Sequence, residues 1–428
     1  MTETAAVRTS AQTASDREIL APLADRLMKL ASRPGEIFKK ELWARHNALQ
    51  SVERIPVCVT YEGIPDPAWD DVFHPGWIRA TGDIARRIER DLRKRIWMAE
   101  NVPDDHIVWP ALFLPAIAAA HDWGVNLLWE NPDDPQGARH IVPPLADRID
   151  ITRLRLPRTD VDETATAARL AEGTELTGGR LAVHPVYPGI GESPFELAVE
   201  MRGMENLFFD VCDRPEDVHA LMNFITEATI RDHRHREQCG WINRALDPTG
   251  KFQMLPRWRH LCARAPAGMP GRPPRISDEW PYVSAQSACG LGVAMYGEFV
   301  HAYNAPIAAL FTGGNVYYHG CENLDAKLPV ISRLPNLRRH HVSPWSSVAL
   351  AAKHFLGRVV LEVHAHPTRV IFQSSPEDMR KEIQGLIAAA DGHPMSLNLS
   401  DIHSLNGKPE TLITWARIAR EEVEKREA

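Results

Sequence analysis

Short apolar segments that alternate with amphipathic helices constrain the fold of this chain more than any other feature. The segments cover residues 54–60, 106–118, 180–185, 306–312, 316–319, 340–343, 359–363 and 395–399. Short apolar strands separated by helices are typical of a mainly parallel sheet that is buried on both faces. Roughly six to eight such units in a chain of this length favour an α/β fold in the form of a closed (β/α)8 barrel.

The chain divides into three predicted regions. Residues 1–16 are rich in Thr, Ala and Ser and lack an apolar core, which predicts a disordered tail and not a secretory signal. Residues 17–52 carry leucines near helical spacing and form a predicted N-terminal helical extension. Residues 53–428 contain the alternating segments, so we assign them to the barrel.

Composition excludes several classes of protein. The formal net charge of -7 and the pI of about 6.3 do not provide the basic surface that nucleic-acid binding requires. No apolar run is long enough to span a membrane. The 6 cysteines are widely spread without a CxxC, which predicts free thiols in a reducing, cytoplasmic compartment. Gly189-Ile-Gly191 lacks the third glycine of a dinucleotide-binding loop.

His319 and Cys321 form the strongest candidate for a chemical centre. They follow the predicted strand 316–319, and residues two apart on a strand point to the same side. Imidazole nitrogen and thiolate sulfur are the usual donors to zinc. The pair therefore predicts a site for zinc or a similar divalent metal at the carboxyl end of a barrel strand, where barrel enzymes place their chemistry.

Two later strand ends repeat this spacing. Asp401 and His403 follow the strand 395–399, and either could complete the metal site. His364 and His366 follow the strand 359–363; we expect His364 to contact substrate and His366 to be a catalytic residue, more readily than either binds the metal. We expect two further histidine-rich segments to be solvated: His340-His341 beside two arginines, and the mid-helix segment 231–237.

Paired acids supply the remaining candidate catalytic groups. Asp278 and Glu279 follow a strand-like segment, 275–277, and precede Trp280, so a carboxyl group with a raised pKa could act there as a proton donor. The candidate substrate-binding residues are polar or aromatic side chains at strand ends and loops: Glu62, His184, Tyr187, Trp280, Tyr318 and His364.

The ordered set of motifs resembles the uroporphyrinogen decarboxylase superfamily over residues 40–428. The resemblance is carried by the segments 206–218, 277–280, 318–322, 397–401 and 408–412. It implies a (β/α)8 barrel with its site at the carboxyl-terminal mouth. True uroporphyrinogen decarboxylases carry an Arg-Gln-Ala-Gly-Arg signature near the N-terminus, whereas this chain has Glu41-Leu-Trp-Ala-Arg-His46 there.

The His-x-Cys pair is similar to that of the zinc-dependent, corrinoid-linked methyltransferases, which act with coenzyme M or on chloromethane. In that branch a later cysteine completes the zinc site, whereas here Asp401 stands at that position and no cysteine follows Cys321. The segment Asp401-Ile-His403 also resembles a cobalamin-binding motif, but the chain beyond it is too short for a corrinoid domain. The resemblance thus implies methyl transfer on a small-molecule substrate, with any corrinoid carried by a partner protein.

Two alternatives remain open at the level of sequence. A lyase or decarboxylase could hold a planar, carboxylated substrate between aromatic residues and the arginines Arg338, Arg339 and Arg369. A non-catalytic metal-binding protein would have four protein ligands and no open position. The expected partners are a small-molecule substrate, a corrinoid protein and a second copy in a homodimer.

Overall fold

The computed structural model describes residues 10–61, 63–130, 140–243 and 273–425. Its strands are β1 Val57–Val59, β2 Ala111–Pro115, β3 Leu128–Glu130, β4 His140–Val142, β5 Ala182–Val186, β6 Tyr282–Ser284, β7 Val316–His319, β8 Leu337–Val342, β9 Val360–His364 and β10 Met395–Leu399. Its α-helices are α1 Ser10–Ala31, α2 Pro34–Asn47, α3 Asp70–Phe73, α4 Asp83–Asn101, α5 Glu163–Leu176, α6 Pro194–Arg202, α7 Met204–Asp213, α8 Pro215–Cys239, α9 Val293–Tyr296, α10 Ala302–Ala308, α11 Leu328–Ile331, α12 Val348–Phe355, α13 Pro367–Phe372, α14 Pro376–Ala390 and α15 Glu410–Glu424.

Parallel strands dominate the sheet structure. Six of them pair in the order β1-β10-β9-β8-β7-β6, and β2 pairs with β5 in a separate parallel unit. Only β3 and β4, among the described strands, pair in antiparallel fashion. This arrangement confirms the predicted α/β fold with a mainly parallel sheet.

The six-stranded sheet has one apolar and one polar face. Alternate residues of its strands, such as Leu361, Val363, Leu397 and Leu399, belong to a core that also contains residues of α12, α14 and α15. The residues between them form what we call the polar face, whose members are all buried: Tyr317, His319, Arg339, His341, Glu362, His364, Ser396 and Asn398. The sequence predicted a sheet buried on both faces, and the buried polar side chains agree with that prediction.

The N-terminal helices are packed into the fold. In α1, Leu20, Ala24 and Leu27 belong to one core with Ile88 and Leu92 of α4. This helix begins at Ser10, so the predicted disordered tail is wrong for residues 10–16, while residues 1–9 lie outside the described ranges. The reason is tertiary: the Asp16 carboxylate is fully buried and accepts hydrogen bonds from the backbone at the start of α4.

The segment 306–312, predicted as a strand, begins inside a helix instead. Residues 302–308 form α10, and Ile307 and Ala308 are buried in the same core as Phe299 and Val300. A short apolar run at the end of a helix resembles that of a buried strand, so periodicity does not distinguish the two. None of the described helices combines the length and apolarity needed to cross a bilayer.

Candidate metal centre

The last residue of β7 and a residue just beyond it converge as their spacing predicts. His319 Nε2 lies 3.1 Å from Cys321 Sγ. His319 is buried because Tyr282 of β6 stacks on its ring, with centroids 4.8 Å apart. A nitrogen and a sulfur at this separation can bind the same ion, since both are ordinary zinc donors.

A third donor comes from the neighbouring strand β8. His319, Cys321 and His341 form a group whose nearest ligand atoms all lie within 4.8 Å of one another. The His319 and His341 rings are 4.2 Å apart between centroids. The expectation that His340 and His341 are solvated is therefore wrong, because both are buried, His340 against Phe355 and His341 on the polar face.

A hydrogen-bonded network supports these imidazoles from within the polar face. The Tyr317 hydroxyl lies 2.8 Å from His319 Nδ1, 3.2 Å from His341 Nδ1 and 2.8 Å from Glu362 Oε1. Glu362 also accepts hydrogen bonds from Arg339 Nε at 2.7 Å and His364 Nε2 at 2.9 Å. One carboxylate thus holds a phenol, a guanidinium and an imidazole behind the candidate ligands.

Burial and charge define the protonation states of this network. Burial, reinforced by Glu362, raises the pKa of Tyr317 well above its usual value, so the phenol keeps its proton. Burial alone would raise the pKa of Glu362, but Arg339 and His364 outweigh it and hold that pKa well below the usual value. Burial, with the neighbouring imidazoles, lowers the pKa of His341 well below its usual value. The network therefore contains a phenol, a carboxylate and a neutral imidazole.

Asp401 approaches the site from β10 through Cys321. Its Oδ2 lies 3.6 Å from Cys321 Sγ, and its backbone has a φ of 55°, a left-handed conformation that aspartate tolerates better than most residues. Burial, together with the Asp401 carboxylate, raises the pKa of Cys321 to about 12. The Cys321 thiol therefore keeps its proton beside Asp401 unless a cation is present.

The other predicted donors differ in their distance from this centre, and the His364 ring stacks on that of His341 with centroids 4.0 Å apart. His403 is exposed and belongs to none of the metal-capable groups found in the described ranges. His364 is buried between Glu362 and Ser400, whose hydroxyl lies 2.7 Å from His364 Nδ1, so it serves the network. His366 is half-buried at the start of α13 and packs edge-on against Trp345 at 4.8 Å.

The predicted catalytic acids lie elsewhere. Asp278 is the last residue of a 3-10 helix and does not follow a strand. Both Asp278 and Glu279 precede β6, whereas the candidate ligands come from the carboxyl ends of their strands. Glu279 contacts Arg236 at 3.3 Å and the backbone N–H of Asn243 at 3.0 Å. Burial alone would raise the pKa of Glu279, but Arg236 and His233 outweigh it and lower that pKa. For Glu279 the expected raised pKa is therefore wrong.

The histidine-rich segment 231–237 is not the solvated helix face that was expected. His233 is buried, with Nε2 3.2 Å from Glu192 and Nδ1 3.7 Å from Glu279. Arg236 on the next helical turn is buried as well and pairs with Asp232 at 3.2 Å. These contacts join α8 to two loops and explain charged residues inside the fold.

The predicted substrate-binding residues are dispersed. Tyr318 faces the helix layer, where it is buried in a core and hydrogen-bonds Tyr296; its neighbour Tyr317 occupies the polar face instead. Trp280 packs against Tyr317. His184 on β5 stacks on Phe113, and Tyr187 packs beside Trp241, whereas Glu62 lies outside the described residues.

The sequence pattern did not indicate a role for Glu362, suggested Tyr317 only as a residue that could line a pocket, and undervalued His341. The sequence did contain a signal that His341 lies on the polar face, because His341 and Arg339 are two apart on β8 and therefore share a face. The alignment of that face with His319 depends on the register between β7 and β8, where Tyr317 is opposite Arg339.

Comparison with known proteins identifies a related fold. A solved structure of a methyltransferase from Methanosarcina mazei is similar to 90% of this chain and covers 98% of that protein, with a TM-score of 0.53 and 13% sequence identity. At this identity the similarity concerns the fold, which by itself does not determine the reaction. No family model matches the chain, and no curated protein matches it.

Proposed function

We propose that this protein is a metal-dependent methyltransferase of the uroporphyrinogen decarboxylase superfamily, in the zinc-dependent, corrinoid-linked branch. The observation that carries the proposal is the convergence of His319, Cys321 and His341 at one end of the parallel sheet. The fold similarity to a methyltransferase supports the choice of reaction class.

We further propose that the two parallel units form one (β/α)8 barrel. Cys58 of β1 belongs to the same apolar cluster as Ala111 and Phe113 of β2. On the other side, the Ser193 hydroxyl after β5 accepts a hydrogen bond from the Ser284 backbone of β6 at 3.0 Å. The shared cluster of β1 and β2, and the hydrogen bond between β6 and the loop after β5, support a ring of eight strands with the polar face inside.

The residues present fit a divalent cation of the zinc type. His319 and Cys321 supply a nitrogen and a sulfur donor, and the third protein donor is His341 or Asp401. The Cys321–Asp401 contact also fits, because a cation between two acidic groups would stabilise both as anions. When bound, such a cation supplies Lewis-acid activation of the acceptor's heteroatom.

The chain's own residues provide the surroundings of this reaction. Tyr282 stacks on His319 and covers one side of its ring, which restricts water there. Trp345 is 58% exposed beside His366, and both follow strand ends on the same edge of the sheet as Cys321, so they could contact an incoming substrate. The methyl donor would be a corrinoid carried by a separate protein.

The lyase alternative has less support. It relied on arginines that could bind substrate carboxylates, but Arg339 is fully buried and paired with Glu362. Arg338 donates to the backbone oxygen of Gly314 at 3.2 Å. Arg369 is exposed on α13 and does not belong to the buried polar face.

The first experiment measures metal content and methyl transfer on the same preparations. We expect wild-type protein to bind about one zinc per chain, and His319→Ala and Cys321→Ala to lose it, because each removes one of few donors. The matched control is Cys212→Ala, which removes an exposed thiol on α7. Unchanged zinc content in both site variants would overturn the site.

The second arm uses methylcobalamin as donor and coenzyme M as acceptor under anaerobic conditions. The cobalt–carbon bond breaks, its electron pair stays on cobalt as cob(I)alamin, the methyl group joins sulfur and the thiol proton leaves to solvent. We expect cob(I)alamin absorbance with wild-type and Cys212→Ala protein and none with Cys321→Ala. Zinc binding without methyl transfer to this thiol or to other thiol acceptors would overturn the reaction class.

A further inference from the structure

One phenol oxygen contacts both candidate imidazole ligands on the same ring nitrogen. The Tyr317 hydroxyl is 2.8 Å from His319 Nδ1 and 3.2 Å from His341 Nδ1. The alternative partner for His341 Nδ1, Glu362 Oε1, is 3.9 Å away and too distant for a hydrogen bond. Tyr317 is therefore the contact that His319 and His341 share.

The directions of these hydrogen bonds follow from Glu362. Its carboxylate is buried against the Arg339 guanidinium at 2.7 Å, so it is ionised and can only accept. The Tyr317 proton consequently points to Glu362 Oε1, at 2.8 Å. The phenol oxygen then has only lone pairs to offer, and both imidazoles must donate an Nδ1–H to it.

We propose that Tyr317, anchored by Glu362, is a positioning residue that holds His319 and His341 together in the Nδ1–H form and so directs both Nε2 lone pairs to the metal. The inference rests on the proposed metal site. It is consistent with the geometry on the other side of the ring, where His319 Nε2 faces Cys321 Sγ at 3.1 Å.

The proposal also selects the third protein ligand. An imidazole whose Nδ1–H is engaged is prepared to bind a metal through Nε2, and His341 is buried in the same group as His319 and Cys321. Asp401 contacts only Cys321 among these donors, and His403 is exposed. His341 is thus the third protein ligand, and Asp401 acts beside Cys321.

Adjacent tyrosines on β7 provide a matched pair of variants. Tyr317→Phe removes the hydroxyl on the polar face, whereas Tyr318→Phe removes a buried hydroxyl that points into the helix layer and bonds Tyr296. In competition titrations with a zinc chelator, we expect Tyr317→Phe to weaken zinc affinity roughly 10- to 100-fold, as the loss of a group that orients a metal ligand does elsewhere. We expect Tyr318→Phe to retain the wild-type affinity.

A second readout does not need metal. In metal-free protein labelled with ¹⁵N-histidine, long-range ¹H–¹⁵N correlations distinguish Nδ1–H from Nε2–H imidazoles. We expect His319 and His341 both to be Nδ1–H in wild-type protein, with signals assigned from His319→Gln and His341→Gln. An Nε2–H form of either histidine would overturn the proposal, even if Tyr317→Phe folded poorly.

The outcomes separate this inference from the proposed function. If His319→Ala and Cys321→Ala lose zinc while a folded Tyr317→Phe binds it with wild-type affinity, the positioning role is wrong and the metal site stands. If wild-type protein binds no zinc but both histidines are Nδ1–H, the metal site is wrong, and Tyr317 fixes the imidazoles for another purpose.

Discussion

Glu362 and Arg339 illustrate at the scale of single residues how a polar group can be placed inside a sheet. Both side chains are fully buried, and their charges are paired at 2.7 Å. The remaining donors of Arg339 are satisfied by Asn47 at 3.0 Å and Ser396 at 2.6 Å. Burying two charges costs desolvation energy, which good geometry and full hydrogen bonding offset. The pair therefore maintains the geometry of the Tyr317 network more than it adds net stability.

Removal of one partner tests this ion pair. We expect Arg339→Met to lower the free energy of unfolding by about 3–5 kcal/mol, because it leaves the Glu362 charge buried without its counterion. The control is Arg338→Met at the adjacent, partly exposed position, where we expect a loss of less than about 1 kcal/mol. Urea denaturation followed by circular dichroism measures both, and equal losses would contradict this role for Arg339.

At the scale of elements, Asp105 joins segments that are distant in sequence. Its carboxylate pairs with Arg54 before β1 at 2.5 Å and with Arg420 of α15 at 2.8 Å. It also accepts a hydrogen bond from the Val57 backbone at 2.9 Å, at the start of β1. One fully buried side chain thus fixes the segment before β2 to the start of β1 and to the helix α15.

The stability that Asp105 provides has a defined pH dependence. Burial alone would raise its pKa, but Arg54 and Arg420 outweigh it and hold the pKa below the ordinary 3.8. A carboxylate whose pKa is depressed by folding stabilises the protein above pH 3.8, and this contribution is lost as the pH falls through the lower, folded-state value. We expect Asp105→Asn to be less stable than wild type by about 3 kcal/mol at pH 7 and the gap to shrink below about pH 4.

The control for this pH series is Asp122→Asn. Asp122 pairs with Arg155 on the surface, where both side chains are largely exposed. We expect nearly the same free energy of unfolding as wild type at every pH, since exposed ion pairs contribute little. Unfolding free energies from urea titrations between pH 3 and 8 make the comparison, and a gap for Asp105→Asn that grows towards low pH would contradict the sign.

For the whole molecule, the N-terminal helices are part of the main fold. Trp43 of α2 is fully buried, donates its indole N–H to the Asp105 backbone oxygen at 2.8 Å and lies 5.4 Å from the Arg339 guanidinium. His46, on the same helix, lies 2.8 Å from the Met395 backbone oxygen at the start of β10. The polar face is therefore covered by α2, although the sequence indicated only an extension.

Truncation of Trp43 tests this integration. We expect Trp43→Ala to destabilise the protein by about 3–5 kcal/mol, because it leaves a cavity beneath the sheet and removes a buried hydrogen bond. Ile37→Ala on the same helix is the control; Ile37 is 63% exposed, so we expect a change within about 0.5 kcal/mol. The thermal unfolding midpoints of both variants test this expectation. Equal midpoints would mean that α2 is dispensable for stability.

The sequence predicted those parts of the fold and of the site that depend on patterns within a few consecutive residues. The strands β7, β9 and β10 lie where their apolar runs indicated. The convergence of His319 and Cys321 also follows from local geometry. The error at residues 306–312 arose because the end of a helix and a buried strand can contain the same short apolar run.

By itself the sequence determined the parallel α/β class and the pair His319–Cys321, because strand alternation and donor chemistry act over a few residues. Only the tertiary structure decided that His341 joins them, that Tyr317 and Glu362 stand behind them, and that Asp278 and Glu279 do not. Each of those outcomes depends on the register between strands or on which end of a strand a loop occupies. Register is set by contacts between residues far apart in the chain, so no short segment contains it.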